Sequence, residues 1–190
     1  MIYVVSGMAR TGTSMMMSAL SEGGLPAIYD DGKNELMDKK RTPNYDPNHD
    51  GLFELFKERL YRMWPVDLNG YLVKVADFQW EKLPIADENS AKVIYMRRNL
   101  DSVLKSLMAL IGAADKEQTV LRWKRQKKII EQIGQRPDME SAKVFWYESI
   151  LERPAMHFSE LMRSGWPIDP IKAAAVVNPD YCHFRQAVTV

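Results

Sequence analysis

The stretch Ile2-Tyr3-Val4-Val5-Ser6-Gly7-Met8-Ala9-Arg10-Thr11-Gly12-Thr13-Ser14 decides how this chain is read. Residues 2 to 5 form a short, largely β-branched apolar run that stops at Ser6-Gly7, the pattern of a buried strand. From Ser14 the run MMMSAL favours a helix, and Gly23-Gly24 followed by Pro26 ends it. Between strand and helix, residues 7 to 14 have the glycine spacing and closing hydroxyl of a phosphate-binding loop. Glycines let the backbone curl its N–H groups toward an anion, and the helix N-terminus adds a partial positive charge. The lysine that usually precedes the last hydroxyl is Thr13 here, and the cation of the loop is Arg10.

Working outward, the alternation of strand and helix continues. Short apolar runs at 25 to 29, 71 to 75, 92 to 96 and 142 to 146 read as strands. Residues 51 to 63 place Leu52, Leu55, Phe56 and Leu60 at helical spacing before Pro65. Asn99 caps a helix striped by Leu100, Leu104, Leu107, Met108 and Ile111. A basic amphipathic helix follows over 115 to 133, with Val120, Trp123, Ile130 and Ile133 as its apolar stripe. Residues 154 to 176 hold two further helical stretches, split at Pro167 and Pro170. Residues 30 to 50 read as a long polar loop. The expected architecture is an α/β, P-loop three-layer fold: a central, mainly parallel sheet flanked by helices, with residues 1 to 190 as a single domain.

Composition narrows the function classes. Lys and Arg total 26 against 25 Asp and Glu, so no broad basic field exists to attract nucleic acid or an anionic membrane. Any anion site must be local. The single cysteine, Cys182, excludes an internal disulfide or a cysteine metal cluster. His49, His157 and His183 are scattered, are read as loop or surface residues, and lack ligand spacing, so no metal site is expected. The twelve methionines, including Met15 to Met17, are read as core filling. No stretch reaches the ~20 apolar residues of a membrane span. The N-terminus shows no secretory pattern, so the cytoplasm is the expected compartment.

The charges at the strand ends bear on chemistry. Nucleotide kinases and NTPases hold a polyphosphate with lysine and Mg²⁺, the metal bound in part by an acidic residue at the end of a second strand. Here the strand at 92 to 96 runs into Arg97-Arg98, and the strand at 71 to 75 contains Lys74 before Asp77 is reached. Ser106 follows Arg98 by eight residues, about two helical turns. Ser102, Ser106 and Ala109 share a narrow face opposite the leucines, so Ser106 can point along a groove that Arg98 guards.

The two anchors GMARTGTS and MRRNLDSVLKS together resemble the sulfotransferases that use 3′-phosphoadenosine 5′-phosphosulfate (PAPS), particularly the small bacterial members. The likeness continues in GGLP, GLFEL, YESILERP and VVNPDYCHFR, and so covers most of the chain. The resemblance implies that Arg10, Thr11, Gly12, Thr13 and Ser14 hold the 5′-phosphosulfate, that Arg98 and Ser106 hold the 3′-phosphate, and that Arg185 adds a phosphate contact. It implies sulfuryl transfer by in-line displacement to a hydroxyl or amine, with 3′,5′-ADP (PAP) as product and no metal. Lys74 matches the Lys-Thr-His segment of the cytosolic members, but the histidine position is Ala76. A general base must come from elsewhere. Asp31 is the first candidate, by analogy with the glutamate of the tyrosylprotein sulfotransferases; Glu54 is the second and Asp77 the third. A small-molecule, saccharide or peptide acceptor is implied, and neither its identity nor the oligomeric state is readable. Two rivals stay open: a P-loop small-molecule kinase and a non-catalytic nucleotide-binding protein.

Overall fold

A computed structural model describes residues 1–30, 53, 55, 57–87, 90–111 and 115–178, without the side chains of 110 and 111. Within them five strands form one parallel sheet: β1 (Ile2–Gly7), β2 (Ala27–Ile28), β3 (Leu72–Ala76), β4 (Ala91–Arg97) and β5 (Met139–Trp146), in the spatial order β2-β3-β1-β4-β5. The fold is α/β. The helices are α1 (Thr13–Glu22), α2 (Lys57–Met63), α3 (Leu100–Ile111), α4 (Lys116–Gly134), α5 (Tyr147–Glu152), α6 (Pro154–Arg163) and α7 (Pro170–Ala175). Two 3₁₀ turns, Val66–Leu68 and Asp77–Lys82, flank β3.

Both faces of β1 are covered, which is why its sequence is continuously apolar and not alternating. Tyr3 and Val5 join a core with Met16, Met17 and Leu20 of α1, and with Phe158 and Leu161 of α6. Ile2 and Val4 face the opposite core, with Leu60 of α2 and with Ile129 and Ile133 of α4. Each fully buried aliphatic side chain stabilises by ~1.5–3 kcal/mol. A one-residue slip of β1 would exchange its two faces, so this packing holds the register. The methionines of α1 are core residues.

Caps set where the helices start. Asn99 Oδ1 accepts from the Asp101 N–H at 2.9 Å, and Asp115 Oδ1 accepts from the Gln118 N–H at 2.9 Å. Each such cap is worth ~1 kcal/mol. Asp169 caps α7 in the same way, by accepting from the N–H groups of Ile171 and Lys172.

Four elements differ from the sequence reading. β5 begins at Met139, three residues before the apolar stretch, because its start pairs with Ala91 across an irregularity in the ladder. The short helix α5 has no counterpart in the periodicity, since six residues are too few to display one. Helix α3 is turned relative to its apolar pattern. Ser102, Val103 and Ser106 are buried, the leucines at 100, 104 and 107 are half-buried, and Met108 is 49% exposed. The small side chains of that face let α3 approach the loop after β1. The buried line of α4 is likewise displaced, to Thr119, Gln126, Ile129 and Ile133. No helix among the described residues is long and apolar enough to cross a membrane.

Candidate functional site

Gly7 pairs in register with Ala76 of β3 and with Met96 of β4. The C-terminal ends of three adjacent strands are therefore level, and the loop after β1, the Lys74 region and Arg97-Arg98 all emerge at one edge of the sheet. Helix α1 leaves this edge toward one face, and α4 covers the other. Such a divergence is where open α/β sheets form their ligand crevice.

The loop itself is tightly folded. Thr11 is fully buried, and both its N–H and its Oγ1 donate to the Met8 carbonyl, the hydroxyl at 2.7 Å. Its side chain thus closes the turn. Arg10 has φ 71 and Gly12 φ 89, so two consecutive bends pass through the left-handed region. For a non-glycine residue that conformation is uncommon. It is held here because Arg98 Nη1 donates to the Arg10 carbonyl at 3.2 Å.

Three predicted donor residues meet in this cluster. Arg10 Nε donates to Ser106 Oγ at 2.8 Å across 96 residues of sequence, and Ser106 is 2% exposed. Arg98 is 6% exposed, with its guanidinium carbon 4.4 Å from the centre of the Tyr147 ring. Its ion pair with Glu148 is long, at 4.0 Å. From β3, Lys74 Nζ donates to Ser14 Oγ at 3.0 Å, at the start of α1. The sheet thus gathers Arg10, Ser14, Lys74, Arg98 and Ser106, while Gly12 and Thr13 join loop to helix. Asp31, Glu54 and Arg185 lie outside the described residues, as do His49 and His183.

Tyr147, the first residue of α5, is the site residue that the periodicity missed. Its ring lies against Gly12 and carries the Arg98 guanidinium, and it is buried with the α1 core. An aromatic residue directly after strand β5, within YESILERP, is the signal that could have found it.

The neighbouring carboxylates have distinct settings. Asp30 forms an ion pair with Arg59 of α2. Asp77, one residue past β3, is buried, and its Oδ1 accepts from the Phe78 N–H at 2.8 Å. Burial pushes its carboxyl above the ordinary range, against the lowering effects of that hydrogen bond and of Arg122 and Arg125 on α4. A carboxyl raised in the folded state favours its protonated form, so stability falls as pH rises from the unfolded value toward the raised one. Asp77→Asn should therefore stabilise the protein near neutrality, with the difference closing below about pH 4. Melting curves of both proteins across that range check this, and a gap independent of pH would refute it.

His157 is a correction to the surface assignment. It is buried on α6, where its Nε2 and Ser149 Oγ lie 2.7 Å apart and its ring meets Phe145 edge-on. His157, Ser149 and Phe145 line a cavity of about 310 Å³ along β5, together with Lys143, Trp146 and Glu160. Among the described residues, no group of three or more His, Cys, Asp or Glu side chains is arranged to hold a metal ion.

The fold and its strand-end cluster define a parallel-sheet α/β protein with converging cations and hydroxyls at the sheet edge. No family model matches the chain, and no curated protein matches its sequence. Among solved structures the chain is similar to the crystal structure of retinol dehydratase in complex with androsterone and inactive cofactor PAP. The identity is 13% and the TM-score 0.47, over 95% of this chain and 64% of that one. The chain therefore spans slightly less than two thirds of the length of that protein, and a likeness this distant decides nothing about the reaction.

Proposed function

We infer that this protein is a sulfotransferase that moves a sulfuryl group from PAPS to a hydroxyl or amine of an acceptor. One observation carries the reading: Arg10 of the loop hydrogen-bonds Ser106, and Arg98 hydrogen-bonds the Arg10 carbonyl. The two motifs that are 88 to 96 residues apart form one cationic, hydroxyl-bearing cluster. A nucleotide with phosphate-like groups at both its 3′ and 5′ positions suits such a cluster. A mononucleotide kinase needs only the loop.

In this reading the first turn of α1 and Arg10 receive the 5′-phosphosulfate, and Arg98 with Ser106 receives the 3′-phosphate. As the acceptor oxygen or nitrogen attacks sulfur, the S–O bond to the 5′-phosphate breaks and negative charge grows on the departing 3′,5′-ADP. Arg10 and the helix N-terminus stabilise that charge without rearrangement, a contribution worth ~3–4 kcal/mol for a well-placed donor. Lys74, held on Ser14, is the catalytic cation nearest the start of α1. The acceptor proton goes to a carboxylate, for which Asp31, Glu54 and Asp77 are the candidates. The charges acting on Asp77 come from the α4 face.

The test is ligand-dependent melting. A ligand at 100 times its dissociation constant stabilises a protein by about 2.7 kcal/mol. The melting temperature should rise with 3′,5′-ADP and remain unchanged with Mg-ATP. The opposite pattern rejects the sulfotransferase reading in favour of a kinase. Transfer of labelled sulfate from PAPS to acceptors in a metabolite pool then separates an enzyme from a binding protein.

A further inference from the structure

Arg97 is the last residue of β4, and the donor cluster does not use it. Its cross-strand neighbour is Trp146 of β5, and its guanidinium carbon lies 4.6 Å from the centre of that indole. A second indole, Trp123 of α4, lies 5.2 Å away and is fixed by donating its Nε1 hydrogen to the Arg98 carbonyl at 2.9 Å. Arg97 Nε is buried without a hydrogen-bond partner, and no ion pair to Arg97 exists among the described residues. Other partly buried cations of the protein are paired: Arg136 with Asp138, Lys92 with Glu140, and Lys143 with Glu160.

One neighbour of Arg97 also has unmet hydrogen-bonding capacity. Tyr95 lies two residues earlier on the same face of β4, its hydroxyl is buried without a partner, and the charge of Arg97 acts on it. Buried polar groups are usually satisfied, so an unpartnered guanidinium nitrogen next to an unpartnered hydroxyl calls for an explanation. Helix α4 carries six Lys and Arg residues against two Glu, and its Arg122 and Arg125 act on the buried Asp77, whose carboxyl faces the Tyr95 hydroxyl together with Arg97. Indoles stacked on a guanidinium leave its N–H edge as the polar contact and restrict its motion, which suits it to a carboxylate or sulfate.

We propose that Arg97, held by Trp123 and Trp146, binds an oxyanion outside the donor cluster. Its ligand is a carboxylate or sulfate group carried by the acceptor, an assignment of role that rests on the sulfotransferase reading. The protein then selects anionic acceptors even though its net charge is only +1.

The probe is inorganic sulfate, titrated into protein already saturated with 3′,5′-ADP, with indole emission as the signal because Trp123 and Trp146 border the site. Wild type should give a saturable change. Arg97→Gln should weaken sulfate at least tenfold while leaving 3′,5′-ADP affinity within twofold, which also certifies its fold. Arg97→Lys, which keeps the charge but loses the planar stack, should fall between the two. A wild-type protein without a saturable response, or an Arg97→Gln variant that binds sulfate normally, would overturn the proposal. A protein that ignores 3′,5′-ADP but still binds sulfate through Arg97 would retain the site and reject the sulfotransferase reading.

Discussion

Gly12→Ala should lower stability by ~3 kcal/mol and weaken 3′,5′-ADP binding at least a hundredfold. Two independent effects add at this position. Gly12 has φ 89, and forcing an L-residue into the left-handed region costs ~1–2 kcal/mol. A Cβ built there would also overlap the Tyr147 ring, and overpacking a core typically costs ~1–3 kcal/mol. Tyr147 has little room to yield, because it is buried with α1 and supports Arg98. The added methyl group thus displaces the loop and Arg98 together. A melting temperature lowered by ~6–12 °C is expected for a chain of this size. Thermal melting and a 3′,5′-ADP titration check both effects. A variant that melts within 1 °C of wild type and binds normally would show that the loop tolerates a side chain.

Arg98→Ala should weaken 3′,5′-ADP about a hundredfold and 5′-AMP only a few-fold. The expected asymmetry has a direct origin, since only the first ligand carries a 3′-phosphate for the guanidinium. Losing a hydrogen-bonded buried charge partner commonly costs ~2–5 kcal/mol. The smaller loss for 5′-AMP arises because Arg98 also supports the strained Arg10 carbonyl. Calorimetric titration of both nucleotides separates these roles. Equal losses would mean that Arg98 acts through the loop alone and that the 3′-phosphate site lies elsewhere. This ratio also discriminates better than overall activity, which falls whether Arg98 binds a ligand or merely positions Arg10.

The order of strands and helices was legible because it rests on local patterns. The apolar run before Gly7, the Asn99 cap and the breaks at Gly23-Gly24 and Pro65 each act within a few residues. The residues of the strand-end cluster were legible for a similar reason: Arg10 and Ser14 lie in one loop motif, and Arg98 and Ser106 lie two helical turns apart. Other features depended on partners distant in sequence. The leucine pattern of α3 pointed to the wrong face, because contact with the loop selects the small serine face. Tyr147 and the Arg97 stack were invisible to periodicity, since each depends on side chains from separate elements. His157 was read as a surface or loop residue because nothing near it in sequence signals Ser149 as its partner.

By itself, the sequence determined an α/β chain with a phosphate-type loop and two local cationic motifs at strand ends. Backbone preferences and short-range spacing suffice for that. Only the tertiary structure decided that these motifs form one cluster, that Tyr147 joins Gly12 to Arg98, and that Arg97 lies against two indoles. Those relations depend on the parallel register of β1, β3, β4 and β5, which brings residues 60 to 96 positions apart within hydrogen-bonding distance.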